Sequence, residues 1–549
     1  MNIREEIAGK IQGDILDSPE IIRRYSRDTS IFTRTPSLVV APKNADDISA
    51  LVKIVAEKKA AGENVSLTGR SAGTDMSGGS LTDSIVVSFT EHMNSLVALR
   101  DTEADVEPGM YYRDFEKETL GKKGVILPSY PASRELCAIG GIVSNNSGGE
   151  LTLRYGKTER YVRALDVVLS DGSKATIRPL SFTELEEKKK EQTFEGKMYR
   201  DVSNLIEVNK QEIASAKPSV TKNSAGYSLW NVVDEEKKTF DLTQLIVGSQ
   251  GTLAMVTRAT LGLVRVPPER AMLVVFMKDL DTLPEIVRRV MLSKPESFES
   301  YDDQTFGLAV RFIPQIIGHL GLVKMVQLGL AFLPEMWAVL TGGIPKLVLM
   351  AEFAEDTHEE ALSKAREAEA ALRDMHVQTK VAKSPAQIAK YWTIRRESFR
   401  LLRKNMKGLY AAPFIDDIVV HPNDYPTFLP ELNELIKGHK FIYTIAGHIG
   451  DGNFHIIPLE NMSDPEARAE IVDLMPKVYK LVAKYKGSIT GEHNDGIVRT
   501  PYLPLMFSPK IIELFEETKN IFDPQDIFNP GKKVRGSVAD IEKYILTHS

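Results

Sequence analysis

The sequence predicts an α+β protein of two or three domains, and three observations carry that expectation. At 549 residues the chain exceeds what a single hydrophobic core serves. Its N-terminal part alternates short strand-like and helix-like stretches that run into glycine-rich loops. Further on, two long apolar runs, 270–278 and 347–353, read as paired strands of a separate sheet, and an Ala/Glu-rich helix over 359–376 follows them.

Taken in order, residues up to about 30 read as one or two helices and a polar connection from Arg23 to Thr29. Ser37–Pro42 is a short buried strand ended by proline. Asn44 suits the N-cap of a helix whose Ile48, Leu51, Val52 and Val55 recur at helical spacing. Val65–Thr68 is the next strand, and it runs into Gly69-Arg70-Ser71-Ala72-Gly73-Thr74-Asp75-Met76-Ser77-Gly78-Gly79. That loop lacks the Lys-Ser/Thr end of a P-loop and the Gly-x-Gly-x-x-Gly spacing of a dinucleotide fold. Its backbone N–H groups and the hydroxyls of Ser71, Thr74 and Ser77 still make a concave run of donors suited to a pyrophosphate. A second run, Pro128–Ser133 leading to Ile139–Gly149 and Arg154-Tyr155-Gly156, packs glycines and amides among apolar residues. Such a run brings backbone against a flat ring or a ribityl chain. A third, Val247–Leu253, precedes another strand-like segment.

Composition excludes several classes. The balance of 69 basic and 75 acidic side chains, a formal charge of −6, gives no electrostatic reason to expect nucleic acid. One cysteine, Cys137, rules out an intrachain disulfide or a cysteine metal cluster. Met1–Glu6 carries charge where an export signal needs an apolar run, so a cytoplasmic protein is expected. Thr183–Gln192 is a charge run that reads as a solvated insertion. Residues 305–345 are strongly apolar, but Arg311, Lys324, Glu335 and Lys346 interrupt them before the ~20 residues of a spanning helix. They read as helices of the cap core. The sharper alternative is a surface docking on a partner or peripherally on the inner face of a membrane.

The chemistry concentrates in Gly447-His448-Ile449-Gly450-Asp451-Gly452-Asn453-Phe454-His455, flanked by Phe441, Ile442, Tyr443, Ile445, Ile456 and Ile457. Gly450–Asn453 has the composition of a tight turn, which predicts a hairpin with Ile449 facing Phe454 and His448 facing His455. Opposed residues share one side of the ladder with Cβ atoms about 5 Å apart, so two imidazoles there form half of a metal site. The bland alternative is a pair of satisfied strand histidines. Glu492 and His493 lie in a similar glycine-flanked segment, Ile489–Gly496.

The three glycine-rich runs, over roughly 35–267, resemble the flavin-binding half of the vanillyl-alcohol-oxidase (PCMH-type) family. They carry Gly-x-x-x-Gly-Thr, Ile-Gly-Gly-x-x-x-x-Asn-x-Gly-Gly and Gly-Ser-x-Gly-Thr-Leu in that order. The resemblance implies a two-subdomain FAD-binding domain in which Arg70, Ser71, Ala72, Gly73, Thr74 and Asp75 cradle the FAD pyrophosphate. Ser133, Gly140, Gly141, Asn145 and Gly148 would line the adenosine and ribityl side, with Ser77, Pro131, Gly251 and Thr252 nearby. No histidine lies between Gly69 and Gly79, so non-covalent FAD is expected.

The rest, about 268–532, resembles the C-terminal domain of FAD-linked D-2-hydroxy-acid dehydrogenases acting on D-lactate, glycolate or D-2-hydroxyglutarate. The signatures are Trp392-Thr393-Ile394-Arg395, Asp416–Val420, His448–His455, Glu492-His493 and the tail Ile521–Lys532. That resemblance implies an N-terminal helical segment (1–34), an FAD domain (35–267) and an α+β cap with an antiparallel sheet (268–500). A helical C-terminal segment (501–549) would return to the flavin with Asn529 near the ring.

His448, His455 and Glu492 then form a two-histidine, one-carboxylate site with open positions for Zn²⁺, Mn²⁺ or Fe²⁺. A 2-hydroxy acid can chelate such an ion, which lowers the hydroxyl pKa. His493 is the candidate base, hydride leaves for flavin N5, and Arg395 holds the carboxylate through its planar fork. Competing roles are a fourth metal ligand for His493, an ion pair with Glu397 or another acid for Arg395, and Arg396 in place of Arg395. Two departures matter: Asn494 stands where the pattern has glycine, and 411–415 lacks a lysine found in some dicarboxylate-using relatives. The second favours D-lactate or glycolate. The acceptor is left open among a quinone, an electron-transfer flavoprotein and an iron–sulfur protein. Rival readings are an FAD oxidase of another alcohol, a non-catalytic flavoprotein subunit, and a metallohydrolase.

Overall fold

The computed structural model describes residues 3–303, 345–405, 408–439 and 441–547. Except for Pro345, the apolar insert 305–345 lies outside these, so neither account of it is addressed. The first sheet combines β1 (Asp14–Ile15), β2 (Leu38–Ala41), β3 (Leu67–Arg70) and β4 (Ile85–Ser88) in the order β1-β2-β4-β3. β2 and β3 both run parallel to β4. Same-direction strands need a crossover, and helix α1 (Ala45–Ala60) supplies it between β2 and β3. Asn44 caps α1 as expected, its side chain accepting from the N–H groups of Asp46 and Asp47. Ile48, Leu51, Val52 and Val55 are fully buried. The short β1 has no counterpart in the sequence reading.

A five-stranded antiparallel sheet follows, built from β5 (Leu96–Leu99), β6 (Glu103–Val106), β7 (Val162–Val168), β8 (Lys174–Ile177) and β9 (Met255–Gly262) in the order β5-β6-β9-β7-β8. The second glycine-rich run starts helix α2 (Ile139–Asn145), and the third leads directly into β9. The charge run forms a helix over Phe182–Lys188, closed by a capping box between Ser181 and Glu184, with Leu185 as its buried residue. It is a solvated element, as its composition predicts.

The second half is organised on an eight-stranded antiparallel sheet. Its strands are β10 (Glu269–Met277), β11 (Ser297–Asp302), β12 (Leu347–Glu355), β13 (Gln378–Ala382), β14 (Tyr410–Ala411), β15 (Ile418–Val419), β16 (Ile442–His448) and β17 (Asn453–Glu460). The order is β13-β10-β12-β11-β16-β17-β14, with β15 also on β17. β10 and β12 pair over nine residues, from Glu269 opposite Glu355 to Met277 opposite Leu347, as the two apolar runs predict. Helix α3 (Pro385–Asn405) carries Trp392 and Arg395.

The C-terminal tail returns to the first sheet: Leu67 N–H donates to Ile527 O, and Asn529 N–H donates to Leu67 O. Further along the tail, Lys532 is 1% exposed, and its ammonium donates to Leu81 O at 2.7 Å. Burial, with Arg34 adding like charge, pulls its pKa down to about 7. Between about pH 7 and the ordinary lysine value near 10.4 the unfolded chain binds a proton that the folded chain does not. Stability should therefore rise with pH across that window. Lys532→Met is expected to flatten this rise and to add about 1–3 kcal/mol at neutral pH. Denaturant titrations at a series of pH values read both effects.

Candidate functional site

The loops expected to hold a nucleotide cofactor surround one cavity of about 440 Å³. Arg70, Ser71, Ala72, Gly73, Thr74 and Asp75 line it, together with Pro131, Ser133, Gly140, Gly141, Asn145 and Gly251. Gly141 and Gly251 leave open space where a Cβ would stand, so their backbone faces the cavity bare, the cradle a flat ligand requires. The carboxylate of Asp75 is engaged within the protein. It accepts from Ser77 N–H at 3.1 Å, Gly79 N–H at 2.7 Å and Asn145 Nδ2 at 3.0 Å, and so shapes the loop. The Arg70 guanidinium donates to the carbonyls of Tyr25 and Arg27. Ser77, Gly148, Thr252 and Asn529 sit behind the lining. Asn529 Nδ2 donates to Gly79 O and to Gln250 O, tying the tail to two of the three loops.

The histidine hairpin departs from the expected register. The turn is 449–452, not 450–453, and His448 faces Asn453 while His455 faces Ala446. Gly452 sets this: at φ +74 its added Cβ would lie 1.9 Å from Val420 O, so the left-handed turn residue falls here. The displacement keeps parity, so both histidines stay on one face of the sheet. Their ring centroids are 5.2 Å apart.

His448 Nδ1 is 2.6 Å from Glu299 Oε1, and its Nε2 is 3.3 Å from Glu492 Oε1. His455 Nδ1 is 3.0 Å from Asp416 Oδ1. Each Nδ1 thus meets a carboxylate and each Nε2 is left for another partner, the arrangement that orients a metal-ligating histidine. The ligating atoms of His448, His455 and Glu492 lie within 4.8 Å of one another. His493 stacks on His455 at 5.3 Å, and its Nδ1 lies 3.2 Å from the second oxygen of Asp416. Asp416, His455 and His493 therefore form a second convergent group.

Charge here favours cations. Burial pulls the pKa of His448 down, but Glu299 prevails and it rises to about 9. Burial is likewise overcome for His493, raised to about 9 by Asp417 and Asp416. Glu299 is driven up by burial and down by Arg395 and His448, ending at about 2. The carboxylates are set to hold positive charge on the ring nitrogens, and a divalent ion at the Nε2 atoms would supply that charge in place of protons.

The cavity that receives the glycine-rich loops is also lined by Arg395, His448, His455, Glu492 and His493. The family described as FAD linked oxidases, C-terminal domain, matches residues 266–533, and an FAD binding domain matches 36–178. The chain carries the C-terminal domain of the FAD linked oxidases behind an FAD binding domain. A D-2-hydroxyglutarate dehydrogenase of Escherichia coli (strain K12) is 26% identical over 515 residues, covering 92% of this chain and 49% of its own. The chain thus spans about half the length of that relative. A D-lactate dehydrogenase of Anaerostipes hadrus is 26% identical over 543 residues, covering 96% and 95%. The solved structure of p-cresol methylhydroxylase with substrate bound superposes with TM-score 0.66 at 12% identity, covering 97% of this chain and 96% of that one. That likeness shows the PCMH-type fold. Among the described residues no helix is long and apolar enough to cross a membrane.

Several partners of the site residues lie beyond the sequence reading. Arg395 pairs with another acid, Glu299, from a strand about a hundred positions earlier. Lys222 is fully buried and pairs with Glu492 and, at 3.2 Å, with Asp451. Its setting, Thr221-Lys222-Asn223-Ser224-Ala225-Gly226, was a readable signal: a lysine among small polar residues. Arg396 donates to both oxygens of Glu150, at 2.7 and 2.9 Å. Asn494, at φ +70, occupies a backbone state that asparagine tolerates as glycine does. Its Nδ2 donates to Gly248 O at 2.8 Å, and its Oδ1 accepts from Lys533 at 2.7 Å. The loop bearing His493 is thereby fastened to the third glycine-rich loop and to the tail.

Proposed function

We propose that this oxidase removes two electrons and two protons from the C2 carbinol of a D-2-hydroxy acid, giving the 2-oxo acid, with D-lactate or glycolate favoured. The observation that carries the reading is the single cavity in which the three glycine-rich loops meet His448, His455, Glu492 and His493. Bound FAD supplies the two-electron acceptor, and a divalent ion supplies Lewis acidity toward the hydroxyl. Gly141 and Gly251 would give the bound cofactor room to lie against bare backbone. His448, His455 and Glu492 hold the ion, with Glu299 and Asp416 fixing the two imidazoles. Arg395, anchored by Glu299, presents its fork to the substrate carboxylate. His493, oriented by Asp416, takes the hydroxyl proton. An external acceptor of the quinone, electron-transfer flavoprotein or iron–sulfur class then reoxidises the protein.

Anaerobic mixing of the yellow holoprotein with D-lactate is expected to bleach the flavin, whereas L-lactate leaves it oxidised. A colourless protein with full metal occupancy would instead favour the metallohydrolase reading. Flavin that stays oxidised with every 2-hydroxy acid would favour the electron-transfer subunit.

A further inference from the structure

The face of the large sheet that carries the two histidines continues past them without charge. Ala446 stands opposite His455, and Ile457 is two residues along β17, so both share the histidine face. On the next strand Ala411 stands opposite Leu459, again in that parity. Ala446, Ile457, Ala411 and Tyr410 all line the cavity. The Tyr410 hydroxyl is turned to Ser30 O at 3.0 Å. Two rows beyond the histidines, about 7 Å along the strands, the described surface is therefore aliphatic carbon, kept shallow by the two alanines, while Tyr410 belongs by register to the other face.

The cations are accounted for elsewhere. Among the described residues the basic side chains lining the cavity are Arg70, Arg395 and Arg396. Arg70 donates to two backbone carbonyls, Arg396 grips Glu150, and Arg395 is paired with Glu299 beside the proposed C1 carboxylate. A second substrate carboxylate placed over Ala446 and Ile457 would lose its water and, among the described lysines and arginines, find no counter-charge.

We propose that the shelf of Ala411, Ala446 and Ile457 receives the C2 substituent of the substrate and selects 2-hydroxy monocarboxylates with apolar side chains over dicarboxylates. This rests on the 2-hydroxy-acid reading above. It departs from the dicarboxylate for which the Escherichia coli relative is named.

The test is anaerobic flavin reduction in the holoprotein by glycolate, D-lactate, D-2-hydroxybutyrate, D-malate and D-2-hydroxyglutarate. Second-order reduction rates should rise about fourfold per added methylene from glycolate to D-2-hydroxybutyrate. Both dicarboxylates should fall on the order of a hundredfold below D-lactate. Ile457→Ala should erase most of the methylene gain, and Ile457→Lys should narrow the dicarboxylate gap at least roughly tenfold. Reduction by D-malate or D-2-hydroxyglutarate as fast as by D-lactate would overturn the shelf and leave the 2-hydroxy-acid reading standing. So would an unchanged methylene series in Ile457→Ala. Failure of all five acids would overturn both.

Discussion

His493→Ala is expected to slow flavin reduction by D-lactate by roughly 10²–10⁴-fold while FAD and metal stay bound. The expectation follows from position. His493 lines the same cavity as the three proposed ligands, and it is partly open to solvent where Glu492 and His448 are buried. Its ring lies against His455, and Asp416 reaches both rings, one through each carboxylate oxygen. One carboxylate thus lies against a proposed ligand and the proposed base together. A base is needed because the carbinol proton must leave as the C2–H bond breaks, and a divalent ion held beside His493 would offset the pull of Asp417 and Asp416 that raises its pKa to about 9. Rapid-mixing measurements of flavin reduction, with metal content and flavin stoichiometry on the same preparation, separate the two roles open to it. Slow reduction with full metal identifies a base. Loss of metal in step with the rate identifies a fourth ligand and removes His493 from proton transfer.

How much of this was legible in the sequence differs by element. The paired strands 269–277 and 347–355 announce themselves because 271–277 and 347–351 within them are apolar on both faces. The Asn44 cap and the buried stripe of α1 are local signals, and local signals read well. The hairpin was found but misregistered: four residues of turn composition allow more than one placement, and the choice came from a contact of Gly452 with Val420 that no local pattern records. The histidines stayed on one face because the error was even. The charges behind them were out of reach for a different reason. Glu299 and Asp416 come from two distant segments, and their burial is a property of the assembled core. Asp416 and Asp417 were noticed as a pair, yet nothing in the sequence told which one serves the imidazoles and which the backbone of the Glu492 loop.

That division of labour makes Asp417→Ala the variant expected to cost most stability, about 3–5 kcal/mol. Asp417 is fully buried, and its carboxylate accepts from Thr490 Oγ1 at 2.7 Å, His493 N–H at 2.7 Å, Asn453 Nδ2 at 3.1 Å and Glu492 N–H at 2.9 Å. Its own carbonyl accepts from Gly491 N–H. Burial pushes the carboxyl pKa up, but His493 and Arg499 outweigh it and the group is held below its ordinary value. Alanine would strip acceptors from buried donors, each left without water or partner, and would place a Cβ residue lacking a polar tip at φ +66. Asparagine keeps that backbone state but turns an NH₂ toward backbone N–H groups, so it should recover only part of the loss. Thr490→Val removes one donor and should cost about 1 kcal/mol. Denaturant midpoints of the three variants should therefore fall in the order Thr490→Val, Asp417→Asn, Asp417→Ala. If Asp417→Asn unfolds like the wild-type protein yet reduces its flavin slowly, the carboxylate acts on His493 through charge, and the loop of Glu492 is ordered by the buried lysines instead.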